Sequence, residues 1–199
     1  LVKFDQSGAI QPALARSWTV SDDGLTYRFT LTKATFHDGT AFDAEDVKFT
    51  LDRARAEDST NAQKQLFSGI DSVTVIDPQT VDITLGAPDG TLLFNLAWGD
   101  AVIVAPESID TIKTAPVGTG PFRFADWRQG DSIRIDAFAD YWGDKPALTT
   151  ATFKFISDPT AAFAAMMAQD VDAFAGFPAP ENLIQFEADP RFQVLVGST

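Results

Sequence analysis

The stretch that most constrains the fold is residues 34–55, ATFHDGTAFDAEDVKFTLDRAR. It predicts a strand end, a tight turn and a capped helix in succession. Phe36 closes an apolar run, and His37-Asp38-Gly39-Thr40 is turn chemistry in which Gly39 can take the positive φ that other residues resist. Asp43 stands where an N-cap belongs, with Glu45 and Asp46 in the first turn. Those acids meet unpaired amides and the positive end of the helix dipole. Val47, Leu51 and Ala54 follow at helical spacing and predict the buried face. Phe49 falls off that face, so the helix is expected to be covered on two sides.

The flanking chain alternates strand and turn signals. Residues 11–18 read as a short apolar turn leading to a strand at Thr19-Val20, and Ser21-Asp22-Asp23-Gly24 as a turn. Tyr27, Phe29 and Leu31 alternate with polar residues, the period of a half-buried strand. Val73 and Val75, a four-residue loop Asp77-Pro78-Gln79-Thr80, then Val81, Ile83 and Leu85 predict a hairpin. Leu92, Leu93 and Leu96 suggest a short helix, and residues 101–105 a small apolar strand. A second hairpin is expected from Phe122 and Phe124 to Ile133 and Ile135, with a strand at Phe153 and Phe155. Asp158-Pro159 opens a helix with Phe163, Met166 and Met167 on its apolar side. Further elements are expected as a strand over 171–174, a helix over 180–187 and a last strand at Phe192, Val194 and Val196. The class is mixed α/β, without internal repeats or low-complexity linkers.

Four strings together resemble the family 5 extracytoplasmic solute-binding proteins, the peptide, dipeptide and nickel receptors of ABC importers. They are F-H-D-G-T followed by A-E-D-V; P-x-L-A-x-S-W followed by S-D-D-G-L-T-Y-x-F-x-L; P-V-G-T-G-P-F at 116–122; and Y-W-G-D-K-P at 141–146. The chain departs from the family pattern at Thr32, where a basic residue is usual, and before Tyr141, where an Asn is missing. It departs again at Gln169-Asp170, which replace a small residue. The resemblance implies lobe one of a type II periplasmic binding protein, with mixed sheets and flanking helices. Residues 10–117 would form its small subdomain, and 1–9 with 118–199 part of its main subdomain. Lobe two would be missing, so the chain is expected to be a fragment; Leu1-Val2-Lys3-Phe4 reads like the middle of something, and no signal peptide is visible.

The function implied is non-enzymatic. Two lobes close on a ligand by hinge motion and deliver it to a membrane permease, with di- or oligopeptides as the expected cargo. The setting would be periplasmic, or outside the membrane on a lipid anchor in a Gram-positive source. Nickel chelates and oligosaccharides are alternatives within the family. Outside it stand an acid-dependent hydrolase and a sensor module built on a binding-protein lobe. A lone lobe would expose an apolar cleft face and tend to self-associate.

Composition narrows the partners. A net charge of −13 repels nucleic acid and anionic membranes. The absence of cysteine removes disulfides, thiolate catalysis and thiolate metal sites, and no apolar run is long enough for a membrane helix. Apolar residues at 45%, including 17 Phe and 4 Trp, are ample for a packed core.

No catalytic residue, metal site or cofactor is expected. His37 is the lone histidine and reads as a turn residue bonding to local backbone, because a metal or triad wants partners it lacks. Gly118-Thr119-Gly120 lacks the ending of a phosphate loop. Asp22/Asp23 and Glu45/Asp46 are explained by a turn and a cap. The candidate ligand-binding residues are Trp98, Gly99, Asp100, Asn95 and Asn61, with Gln63 and Lys64 behind them. There an apolar segment is interrupted by Trp-Gly-Asp, and aromatics on loops often line clefts. In the resembled family this loop faces the ligand; Trp98 as plain core is the competing reading. Trp18, Trp127 and Trp142 read as packing residues.

Overall fold

The computed structural model describes residues 1–197. They fall into two compact units: Leu1–Asp126 with Arg134–Ala151, and Trp127–Ile133 with the chain from Thr152 onward.

In the first unit, β1 (Val2–Phe4) and β2 (Ile10–Pro12) form an antiparallel ribbon. Strands β3 (Ala15–Val20), β4 (Thr26–Leu31), β5 (Ile70–Asp77) and β6 (Thr80–Leu85) form an antiparallel sheet in the order β3-β4-β6-β5. Period-two patterning sets its buried face: Tyr27, Phe29 and Leu31 on β4, and Val81, Ile83 and Leu85 on β6. Tyr27 pairs with Ile83 and Phe29 with Val81, so both strands present their apolar residues to one side.

Helix α1 (Ala44–Arg55) covers that side, packing on β5 and β6. Val47, Leu51 and Ala54 are buried as the spacing predicts, joined by Ala44, Asp46 and Thr50, while Phe49 is half-buried. Each large side chain removed from water contributes roughly 1.5–3 kcal/mol. The helix begins with a full capping box. The Asp43 carboxylate accepts from the Glu45 N–H, and the Asp46 carboxylate accepts from the Asp43 N–H, each at 2.8 Å. Gly39 takes φ +91°, as the turn before the helix requires.

Several expected elements differ. β3 starts at Ala15, well before Thr19, because its pairing with β4 runs back to Ala15↔Leu31 through a bulge. The β5–β6 loop is shorter than four residues: Asp77 pairs with Thr80, leaving Pro78-Gln79 as the turn. Its carbonyls are used, Pro78 O by the Ala44 N–H and Gln79 O by the Leu31 N–H. The expected strand at 101–105 is instead a tight turn, Gly99–Ala101, followed by extended chain outside any sheet. Ile103, Val104 and Ala105 are buried, but the Val104 main chain is satisfied by the Thr50 side chain, with no partner strand involved. The short helix α2 (Leu92–Leu96) forms as expected.

Strands β7 (Phe122–Arg128), β8 (Ser132–Ala137) and β9 (Thr150–Lys154) pair in that order and contribute residues to both units. The second unit carries α3 (Pro159–Met167), N-capped by Asp158 accepting from the Ala161 N–H, and α4 (Leu183–Glu187) after a tight turn at Pro180–Asn182. Its packing is aromatic. Buried Phe186 holds Phe163, Phe177 and Phe192 at 5.1–5.3 Å between ring centroids.

No strand forms over 171–174 or, among the described residues, at Phe192, Val194 and Val196. After α3 the chain turns through Gln169 at φ 60°, and the Lys154 ammonium holds the Asp170 carbonyl. Phe174 packs on Phe177, and Phe192 on Phe186. Ring packing there replaces strand pairing.

Candidate functional site

The Trp98 loop is built from α2 outward. α2 is capped by Ala97, the Trp98 N–H donates to Asn95 O at 3.3 Å, and the Ala101 N–H donates to Trp98 O at 3.0 Å, closing the turn. Two amide side chains fasten this loop. Asn61 Nδ2 donates to Asp100 O at 3.1 Å, and Asn95 Nδ2 to Leu66 O at 3.2 Å. The Trp98 ring leans on Phe94 at 6.0 Å, and Phe94 meets Phe4 of β1 edge-on at 5.1 Å.

Trp98, partly exposed, lines a recess of about 330 Å³ within the first unit. Its floor and walls come from Leu1 and Leu14, the turn and extended chain after Trp98, the Gly118–Gly120 crossing, and Tyr141 with Trp142. Trp142 is anchored by its indole N–H, which donates to Thr119 O at 3.0 Å, and its ring sits 5.2 Å from Tyr141. Burial, and then the negative charge of Asp144, raise the Tyr141 hydroxyl above its ordinary range, so it stays a proton donor. Among the described residues neither that hydroxyl nor the Trp98 indole N–H has a partner. Charged residues make up 22% of the chain, yet none lines this recess.

The structure therefore separates the five candidate residues. Trp98 faces the recess at 44% exposure. Asn61 and Asn95 spend their amides on holding the loop, while Gly99 and Asp100 form its turn without lining the recess. Lys64 donates to Glu57 O, and the Gln63 N–H to the Asn61 side chain. Tyr141 belongs to a family string and Trp142 reads from sequence as packing, yet both line this recess; they stand 43 and 44 residues beyond Trp98, and only the string Y-W-G marks them.

A second recess of about 400 Å³, also in the first unit, sets Arg123 and Arg134 among Asp38, Asp136 and His37. Its charges balance. Asp38 accepts from the N–H and hydroxyl of Thr40, which lower its pKa, and Asp136 accepts from the Thr150 hydroxyl and lies 3.8 Å from Arg134. His37 does not bond to local backbone through its ring as expected. The Gly118 N–H donates to Nδ1 at 3.2 Å, which leaves Nε2 to donate to Gly120 O at 3.0 Å. The ring thus ties the F-H-D-G turn to the G-T-G-P crossing and has no free nitrogen. The HDG turn itself is closed by backbone bonds from Gly39 N–H to Phe36 O.

No three of His, Cys, Asp or Glu cluster closely enough to hold a metal ion among the described residues. No helix among them is long and apolar enough to cross a membrane.

Residues 9–199 match the bacterial extracellular solute-binding proteins, family 5, middle region. A glutathione-binding protein GsiB of Pectobacterium atrosepticum is 37% identical over 186 residues, covering 90% of this chain and 36% of that protein. Among solved structures, the binding protein AgaA from A. tumefacien R10 in complex with agropinic acid superposes with a TM-score of 0.88 at 33% identity, over 95% of this chain and 39% of that one. The Helicobacter pylori periplasmic binding protein DppA in complex with the peptide STSA gives 0.83 at 30% identity, over 96% and 42%. The chain spans about two fifths of the length of these proteins.

Proposed function

We propose, from the premise that this chain belongs to the bacterial extracellular solute-binding proteins of family 5, that it supplies one lobe of a receptor for peptides. The receptor captures di- or oligopeptides outside the inner membrane and delivers them to the permease of an ABC importer. It acts by binding and release, without catalysis, in the periplasm or on a lipid anchor. Residues 10–117 are its small subdomain, and 1–9 with 118–199 belong to its main subdomain. Trp98 contacts the ligand, and Asn61, Asn95, Gly99 and Asp100 hold it in place.

The observation that carries this reading is the uncharged aromatic recess at the Trp98 loop. Its volume of about 330 Å³ lies at the low end of ligand sites, so it suits part of a peptide and leaves the remainder to other parts of the receptor. Two unpaired donors, on Trp98 and Tyr141, suit peptide carbonyls.

The test is native purification of the full-length protein, release of bound ligand by denaturation, and mass spectrometry. Peptides in stoichiometric amount support the reading. Recovery of only a sugar, an opine or a metal chelate overturns it.

A further inference from the structure

Resting on the peptide reading, we infer that the recess at Trp98 is a selectivity pocket for an apolar or aromatic ligand side chain, and that it rejects carboxylate ones. The family membership does not dictate this; the lining of this chain does.

Three features of the recess point the same way. Its walls are rings and aliphatic groups, with Trp98, Tyr141 and Trp142 supplying flat faces that stack well on other flat or branched groups. It has no countercharge. A carboxylate entering it would lose water and find only neutral donors. Three polar atoms of the wall are already engaged: Thr119 O accepts from Trp142, while the Gly118 N–H and Gly120 O are taken by His37. The chain carries a net charge of −13, so the neutrality of this one concavity is a local property, unlike the rest of the surface.

Trp98 is the most exposed of the three rings that line the recess. It is 44% exposed and backed by Phe94, itself 49% exposed, which in turn rests on Phe4. Phe94 is therefore a positioning residue for the Trp98 ring. Val102, 62% exposed and on the same wall, marks where a charge could be introduced without disturbing the core.

The experiment is a calorimetric titration of the full-length protein with tripeptides based on Ala-Ala-Ala, each position replaced in turn by Leu, Phe or Asp. At one position Leu and Phe should bind about tenfold or more tighter than Asp. Trp98→Ala should lose about tenfold for the Leu and Phe peptides and much less for Ala-Ala-Ala, flattening the series, while Trp98→Phe largely preserves it. Val102→Lys should shift the ranking at that position toward Asp. Unchanged melting temperatures keep the variants interpretable.

Tripeptides that bind with no apolar preference at any position, or with Asp preferred, overturn this inference and leave the receptor reading standing. So does an equal loss for all peptides in Trp98→Ala. Failure of every tripeptide to bind overturns this inference, and the receptor reading falls with it only if no peptide is recovered from the native protein.

Discussion

Thr50 offers the sharpest test of how the recess wall is held. Its hydroxyl accepts from the Val104 N–H at 3.0 Å and donates to Val104 O at 3.2 Å, and both residues are buried. One side chain thus satisfies both backbone groups of a residue in the extended chain that follows the Trp98 turn. Thr50→Val keeps the shape and removes both bonds. Each buried backbone group left without a partner costs about 1–3 kcal/mol. The added methyl returns less than about 1 kcal/mol of apolar burial, so the expected net loss is about 2–4 kcal/mol. Thr50→Ser keeps the hydroxyl and deletes one methyl, for an expected loss of about 1 kcal/mol. The global readout is urea unfolding followed by tryptophan fluorescence. The local one is hydrogen exchange at the Val104 amide, which should speed up in Thr50→Val and stay slow in Thr50→Ser. Equal losses in the two variants, or unchanged exchange at Val104, would refute the hydroxyl's role.

Three further outcomes are expected. Burial, followed by repulsion from Asp43, Glu107 and Asp38, lifts the Asp46 carboxyl from its ordinary 3.8 to about 6, despite the bond it accepts from Asp43. Folded Asp46 therefore holds its proton longer than unfolded Asp46. Its contribution is fully present below about pH 4 and lost as pH rises through about 6, a fall of about 1–3 kcal/mol that Asp46→Asn should abolish in a pH series of unfolding curves. At Gly143 a Cβ would meet the Tyr141 ring at 2.9 Å. Gly143→Ala should displace that ring and weaken binding of Leu- and Phe-bearing peptides severalfold in calorimetry, with little change in melting temperature. His37→Ala removes both ring bonds to the Gly118–Gly120 crossing and should cost about 2 kcal/mol in unfolding; a loss below about 0.5 kcal/mol would show that the tie is dispensable.

Much of the first unit was legible because its signals are local. The Asp43 cap, the Val47-Leu51-Ala54 face and the alternation on β4 and β6 each depend on neighbours within a few residues, where periodicity and capping chemistry act directly. The failures share one cause. An apolar stretch at 101–105 reads as a strand, but a strand needs a partner, and Thr50 occupies the polar groups that a partner would have used. The same holds at 171–174 and at Phe192, where rings found Phe177 and Phe186 in place of a ladder. His37 looked local because its turn is local; its ring bonds reach residues 81 and 83 positions away.

The candidate site divides along the same line. Trp98 stood out as an aromatic interrupting an apolar loop. Asn61 and Asn95 looked equally suited to a ligand, because an amide's partners are invisible in a sequence, and here they are backbone carbonyls.

By itself, then, the amino-acid order determined the class of fold, the family pattern and the capped helix at 44–55, all of which arise from short-range chemistry. Tertiary structure alone decided that Trp98, Tyr141 and Trp142 share one uncharged recess, since that depends on where distant turns come to rest. It also decided that Thr50, and no neighbouring strand, completes the chain beside it. Hydrogen-bond partners are chosen by proximity in space, and proximity in space is what a linear code leaves to folding.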